Sequence, residues 1–529
     1  MNNPIYLRPN VQLEPLVDRW YAWSHMIPPA VSSRNLTERH LKIMDSYINA
    51  PQIHANAVKN PRLLGGPFID YGGKRVDEIV RLRDETKRAR HNLIELSADI
   101  VDLDALLRAN AKGFSLAPLY EKVPSRLRGY VELVYDINNN PTFRIIEQLL
   151  YRSDYYDSSA QSLMLSITKG DNRPFVLSTP RLDDEGTVHL SIPFESELID
   201  ELFKLRYRPK RRDEINEMFG LDRKQCEVFQ SFLTPEPPFK KPSYNGDNVR
   251  WRYFGHACVL IETKSLSLLF DPVISYSHQS GVPRYAYEDL PDSIDYVLLT
   301  HNHQDHVLFE TLLQIRNKVK NIIVPRNVTG SLQDPSMKLM LQRCGFKNVI
   351  ELSDLETVSI EGGEIIGLPF LGEHADLDVK TKTAYMVRIG KRSLLFAADS
   401  CNLEPKLYEH IHRQLGDADI LFLGMECDGA PLTWLYGPLL LQRPERRMDE
   451  SRRLNGSDYE QAMNIVRSFS FQEVYVYAMG QEPWLSYIMS LRTDPEMRPI
   501  VESNRLIEEC QKLGIIAERL FGRKEAYFE

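Results

Sequence analysis

Three imidazoles and a carboxylate fall within six residues, in the run His301-Asn302-His303-Gln304-Asp305-His306. The run directly follows Tyr296-Val297-Leu298-Leu299-Thr300, and an uncharged segment of that kind reads as a buried strand. One strand end therefore brings four metal-ligand types to one place. Residues i and i+2 of an extended segment point the same way, so His301 and His303 can grip one ion while Asp305 and His306 reach a second. Other candidates also follow strand-like runs: Glu373 and His374 come after Ile365 to Leu368, and Asp399 after Leu394 to Ala398. Glu426, at the end of Ile420 to Gly424, either approaches the ions as a gate or supporting group or is a surface acid. Two ions in such a set support hydrolysis by a deprotonated water or, with enough hard oxygen donors, redox chemistry.

Positioning these side chains takes short strands alternating with helices. Beyond residue 248 the predicted strands are Arg252 to Ile261, Leu266 to Phe270, Tyr296 to Thr300, Ile322 to Val324, Ile365 to Leu368, Ala384 to Ile389, Leu394 to Ala398, Ile420 to Gly424 and Val474 to Tyr477. Helical patterns begin near Val307 and occupy Pro405 to Leu415, Tyr459 to Phe469 and Asn504 to Leu513. This alternation predicts layered α/β architecture, with sheets covered by helices. Upstream, apolar residues at Ile79, Leu82, Thr86, Ala89, Leu93, Leu96, Ile100, Leu103 and Leu107 predict one long amphipathic helix, and Tyr130 to Tyr135 and Thr187 to Ile192 read as strands. The proline-rich segment Thr234 to Pro242 is the natural linker, dividing the chain into a mixed α and β part, 1–240, and a second domain, 248–529.

HxHxDH after a strand resembles the signature of the metallo-β-lactamase fold superfamily. Phe254-Gly255-His256-Ala257-Cys258-Val259-Leu260-Ile261-Glu262 and Leu268-Leu269-Phe270-Asp271-Pro272 are similar to that fold's opening strands, within which His256 and Asp271 are read as structural hydrogen-bonding residues. The resemblance spans about residues 249 to 480 and implies an αββα sandwich. Hydrolases of this fold supply a further histidine, a bridging aspartate and a final histidine, each at a strand end. Asp399 fits the bridge, but the final position is Ala478-Met479-Gly480-Gln481, without histidine. HxHxDH combined with Gly372-Glu373-His374 and Ala397-Ala398-Asp399-Ser400 resembles instead the diiron β-hydroxylases of the chloramphenicol-biosynthesis type, which act on amino acids held as thioesters on nonribosomal peptide synthetase carrier proteins. The similarity includes a large N-terminal domain. It implies two Fe ions, His301, His303 and Glu373 binding one, Asp305 and His306 the other, with Asp399 at or between both. It further implies O2 as co-substrate, an external electron-donor protein and a homodimer formed through the N-terminal domain. Glu373 adds negative charge and a hard donor where a hydrolase has imidazole, which favours oxidised iron. A one-residue shift to His374 restores the hydrolase set, leaving a zinc-dependent hydrolase of an ester, thioester, lactone or phosphodiester as the alternative.

Composition sets limits around this reading. The 529 residues are 43% hydrophobic and 26% charged, enough for two cores. A net charge of −8 argues against a nucleic-acid partner, which needs a basic face. No leader or membrane segment is expected, and six scattered cysteines without a CxxC pair suit reduced thiols in a cytoplasm. Basic clusters at Lys204, Arg206, Arg208, Lys210, Arg211 and Arg212, and at Arg443, Arg446, Arg447, Arg452 and Arg453, are solvated faces or steer an acidic carrier protein. The apolar segment Ala430 to Leu441 reads as a substrate cover or as packing against the N-terminal domain. His410 and His412 are expected on the surface, and the sequon Asn35-Leu36-Thr37 is expected to carry nothing.

Overall fold

The computed structural model describes residues 4–239, 241, 243–491 and 494–528. Lys240 and Pro242 of the proline-rich segment, and Met1 to Asn3, lie outside the described residues. The C-terminal domain is built on two seven-stranded mixed sheets. In spatial order the first runs Val349–Leu352, Val319–Pro325, Ile294–Leu298, Ser267–Phe270, Cys258–Glu262, Val249–Gly255 and Lys524–Phe528. The second runs Thr357–Ile360, Gly363–Leu368, Ala384–Ile389, Arg392–Phe396, Ile420–Gly424, Glu473–Tyr477 and Ile516–Arg519. Along these orders the first sheet passes from parallel to antiparallel pairing and the second from antiparallel to parallel.

Alternation along the strands sorts their side chains into three layers. Leu268, Phe270, Leu298, Phe396, Ile420, Phe422 and Tyr475 fill the space between the sheets. There Phe270 stacks on Phe396 with centroids 3.8 Å apart, and Phe396 on Phe422 at 4.6 Å. Leu395, Leu421, Leu423, Val474 and Val476 face outward against the helices Lys406–Leu415, Tyr459–Ser468 and Arg498–Lys512. Leu269, Val297, Leu299, Ile322 and Val324 face the helices Phe309–Ile315 and Met337–Arg343, in a core continuous with the N-terminal domain. Strands covered on both faces read as unbroken apolar runs, which is why their sequence signal is strong.

Two predicted elements differ. The expected strand Arg252 to Ile261 is an antiparallel pair, Val249–Gly255 and Cys258–Glu262, because the chain reverses through positive φ at Gly255 (112°) and His256 (52°). A Cβ at Gly255 would stand 2.6 Å from the Trp484 ring. The expected single N-terminal helix is two, Val76–Ala89 and His91–Asn110, broken at Arg90. Ala89 is exposed, and the buried stripe runs instead through Arg90, whose guanidinium reaches Asp18 at 2.9 Å and also pairs with Asp157. The other predicted strands of that domain are present as Val131–Tyr135, paired with Pro141–Ile145, and as Val188–Leu190, at the edge of a four-stranded sheet with Trp20–Tyr21, Val11–Val17 and Gln161–Ile167.

The helix after the histidine motif, Phe309–Ile315, is buried throughout and clamped by the N-terminal domain. Glu310 accepts from Tyr21 at 2.6 Å and pairs with Arg173 at 2.9 Å. Behind it Arg316 fans out to Asp200 at 2.9 Å, to Ser196 O at 2.6 Å, to Cys344 O at 2.7 Å and to Phe194 O. Of the first basic cluster Arg206 belongs to the same junction, while Arg208, Arg211 and Arg212 stand exposed. Arg206 is buried on Gln314 at 2.7 Å, Lys204 and Lys210 pair with Glu201, and Arg211 with Glu214. Asn35 of the sequon is buried, and no described helix is long and apolar enough to cross a membrane. All six cysteines are free thiols.

Candidate metal centre

Parallel pairing of the motif strand continues to Leu299, whose N–H donates to Ile323 O at 3.0 Å. The chain then turns instead of staying extended: the amides of His306 and Val307 both donate to His303 O, at 3.2 and 2.9 Å. A tight turn, and not the i, i+2 alternation of a strand, gathers the imidazoles. His301 lies with its ring centroid 4.0 Å from His306 and 4.8 Å from His303.

Hydrogen bonds behind each ring decide which nitrogen faces inward. Asp271, fully buried, accepts from Thr300 N at 2.8 Å and Thr300 Oγ1 at 2.6 Å, and its Oδ2 is 2.9 Å from His306 Nδ1. His306 therefore carries its proton on Nδ1 and presents Nε2, 3.0 Å from Asp399 Oδ2 and 3.7 Å from Asp305 Oδ2. Because the Thr300 hydroxyl donates to Asp271, it accepts from His301 Nδ1 at 3.0 Å. His301 Nε2 then points inward, 3.8 Å from both Glu373 Oε2 and Asp399 Oδ2. His256 is different. Its Nδ1 accepts from the Gly480 amide at 3.3 Å, so Nε2–H donates to Asp305 Oδ2 at 3.0 Å. Although His256 falls within ligand reach of Asp305 and His306, both its nitrogens are engaged, and it orients Asp305. The segment that lacks the final histidine, Ala478 to Gln481, thus supplies the amide that holds His256.

Glu373 is the residue turned toward His303, its Oε1 2.6 Å from His303 Nδ1. His374 stands behind it, Nδ1 2.8 Å from Glu373 Oε2. The loop achieves this with left-handed backbone at Gly372 (74°), Glu373 (68°), Ala375 (52°) and Asp376 (57°). His256, Asp271, Ala398 and Ala478 at neighbouring strand ends also have positive φ, a strain characteristic of functional sites. Burial opposes ionisation of Glu373, but the adjacent His303 and His374 outweigh it and hold the carboxyl down to about 2. Asp399 comes close beneath Gly424, where a Cβ would lie 2.2 Å from its Oδ1. Three overlapping groups of candidate ligands result: His301, His303 and Glu373; His301, His306 and Asp399; His256, Asp305 and His306.

These residues fit a pair of cations. His301 Nε2 and Asp399 Oδ1 are buried without hydrogen-bond partners among the described residues, a cost of about 1–3 kcal/mol each if nothing else occupies the site. A cation about 2.1 Å from each donor joins donor atoms roughly 3 to 4 Å apart, the spacing seen here. Asp305, Glu373 and Asp399 are buried carboxylates whose charge two divalent ions offset, leaving one positive charge.

The centre opens into a cavity of ≈ 410 Å³ lined by His303, Asp305, Glu373, Asp399 and Glu426. Glu426 is half-buried, and in the metal-free site burial, then Asp399, Asp428 and Asp305, push its carboxyl up to about 8. Cations beside it reverse the effect of those carboxylates. Leu64, Trp434, Leu435, Leu454, Met489 and Leu491 make the apolar walls, and Arg62, Leu64 and Gly65 come from the N-terminal domain, a contribution with no sequence signal. The apolar segment packs against the N-terminal domain, one of its two expected readings, and also borders the cavity. It lines the cavity through Ala430, Pro431, Trp434 and Leu435, and it is fastened to the N-terminal domain by Arg39, donating to Trp434 O at 2.7 Å, and by Trp434 Nε1, donating to Gly65 O at 3.0 Å. Arg443 and Arg446 of the second basic cluster are 78% and 90% exposed, with acidic partners beside them, Glu38 at 3.9 Å and Glu450 at 2.7 Å. His410 and His412 lie at the exterior, the latter 3.1 Å from Asp417.

Paired mixed sheets between helices, with this imidazole–carboxylate cluster at the strand ends, define a metallo-β-lactamase-type metalloprotein carrying an added N-terminal domain. The beta-lactamase superfamily domain matches residues 267–430, and the diiron non-heme beta-hydroxylase N-terminal domain matches residues 6–237. The 4-amino-L-phenylalanyl-[CmlP-peptidyl-carrier-protein] 3-hydroxylase of Streptomyces venezuelae is 40% identical over 525 residues, 98% of each chain. The crystal structure of CmlA, a diiron beta-hydroxylase from Streptomyces venezuelae, superposes with a TM-score of 0.94 at 39% identity, covering 100% of both chains, and that of a point variant of CmlA superposes at 0.91. The chain belongs to the diiron non-haem β-hydroxylase family, and the hydrolase alternative gives way to that assignment.

Proposed function

We propose that this enzyme hydroxylates the β-carbon of an amino acid held as a thioester on a nonribosomal peptide synthetase carrier protein. The observation that carries the reading is the pairing of near full-length similarity to a hydroxylase of a carrier-bound aminoacyl group with Glu373 placed 2.6 Å from His303. In this reading His301, His303 and Glu373 hold one iron, Asp305 and His306 the other, and Asp399 lies at or between both. The irons, when bound, activate O2 with two electrons from an external donor protein. The chain's own residues do the rest. Leu64, Trp434, Leu435, Leu454 and Met489 exclude water and hold the aminoacyl side chain, while Glu426 faces the same space and holds or accepts a proton at its carboxyl. Arg443, Arg446 and Arg447 draw the acidic carrier and its phosphopantetheine phosphate to the mouth. Residues 1–240 and 248–529 act as the two domains, the former pairing copies into a homodimer in the cytoplasm.

Single turnover tests this. The reduced enzyme with O2 should hydroxylate the carrier-loaded amino acid at least tenfold faster than the free one. Equal rates contradict carrier recognition. Reversing charge at Arg443, Arg446 and Arg447 should weaken carrier association and flatten its salt dependence, with iron content unchanged.

A further inference from the structure

The three inward-facing histidines are held at their far nitrogens by different parts of the molecule. Asp271 and Thr300, which hold His306 and His301, lie at the ends of the sheet strands that carry the motif. The partner of His303 is Tyr436, its hydroxyl 3.2 Å from Nε2, 133 residues away in the apolar segment outside both sheets. We infer that Tyr436 is a positioning residue for the metal centre, fixing His303 with Nδ1 turned inward, and that the N-terminal domain holds Tyr436 in register. The inference rests on His303 being a ligand, as proposed above.

Tyr436 is 2% exposed, so its ring has no alternative place. It sits on the short helix Leu432–Tyr436, whose final carbonyls before it are engaged by Arg39 at 2.7 and 3.1 Å. Trp434 is tied to Gly65, and the buried His25 ring packs against Tyr436 with centroids 6.0 Å apart, backed by Trp23 at 4.5 Å from His25. Four N-terminal residues, Trp23, His25, Arg39 and Gly65, therefore fix one turn that reaches the centre.

The hydroxyl suits this role because it both donates and accepts. With His303 Nδ1 turned to Glu373 at 2.6 Å, the hydroxyl meets Nε2 as donor or acceptor according to where the ring carries its proton. With a cation on Nδ1, the proton must sit on Nε2, and the hydroxyl turns to accept it. A phenyl ring serves neither state. Partners of this kind behind a ligating histidine typically change metal affinity 10–100-fold.

The test is Tyr436→Phe in the full chain, titrated as apo-enzyme with Co(II) against a competing chelator and followed by the visible d–d absorption of bound cobalt. The expected result is two ions bound, one about 10–100-fold more weakly than in wild type, with a changed spectrum for that ion and an apo-enzyme melting temperature close to wild type. Trp434→Phe, which unties the segment from Gly65, should shift the same ion in the same direction by less. Equal cobalt affinity and spectrum in Tyr436→Phe overturns the inference alone. A wild-type chain that takes up no cobalt at Nδ1 of His303 overturns the ligand assignment beneath it.

Discussion

Asp271→Asn removes one charge and almost no volume from behind the centre. Asp271 accepts three hydrogen bonds on two oxygens, from Thr300 N, Thr300 Oγ1 and the His306 ring. Its backbone is left-handed, φ 33°, a conformation asparagine tolerates well, so the substitution adds no backbone strain. The amide has one acceptor atom where the carboxylate had two, and its NH2 must face at least one of the donors. A buried donor left facing a donor costs about 1–3 kcal/mol of stability. Losing the anion also makes His306 a weaker base and frees its tautomer, which lowers metal affinity by about 10–100-fold, or about 1.4–2.8 kcal/mol. The ion bound through His306 should leave first, while the ion bound by His301, His303 and Glu373 stays. Iron analysis after graded chelator challenge, beside denaturant unfolding of the apo-enzyme, measures both effects. Two irons retained at wild-type affinity would refute the reasoning that Asp271 sets the donor nitrogen of His306.

Glu373→His should retain substantial metal while losing most hydroxylation, read by iron content and single turnover, because it removes a charge and a hard oxygen; His374→Ala should be comparatively mild. Arg316→Ala should destabilise the chain by about 3–5 kcal/mol in denaturant titration, since it strips partners from Asp200 and two carbonyls across the domain junction and from the Cys344 carbonyl within its own domain. Glu147 accepts the Ser336 amide at 3.1 Å where the helix Met337–Arg343 begins, and burial pushes its carboxyl up to about 7 against the pull of that amide. A carboxyl raised on folding favours the folded state below its unfolded value near 4.5, and the benefit is lost as pH climbs toward 7. Glu147→Gln should therefore flatten stability between pH 5 and 7, and parallel curves for variant and wild type would count against it.

What could be read from the sequence was local. The motif, Asp399 and most strands announce themselves because strands buried on both faces leave continuous apolar runs and the ligands sit at their ends. Glu373 was legible as a position, but its orientation depends on four left-handed residues that no spacing rule reveals. His256 and Asp271 could be read as hydrogen-bonding residues, yet which ring nitrogen each controls follows only from Thr300 and Gly480. The break at Arg90 was hidden because a buried arginine paired with Asp18 looks polar on a helical wheel and Ala89 beside it looks apolar. The N-terminal part of the cavity wall and the hydroxyl behind His303 were invisible for a different reason: Arg62, Leu64 and Gly65, and likewise Tyr436, come from segments far from the motif, and tertiary packing alone brings them there.

The central claim is that two irons in this centre place an oxygen atom from O2 on the β-carbon of a carrier-bound amino acid. Mass spectrometry of the carrier-linked product after one turnover of the reduced, iron-loaded enzyme under oxygen-18 gas tests it most directly. The account predicts one labelled oxygen on the still-tethered aminoacyl group, with no product when the reductant is withheld. Label drawn from water, or release of the free acid with the thioester cleaved, would contradict it and return the centre to hydrolysis.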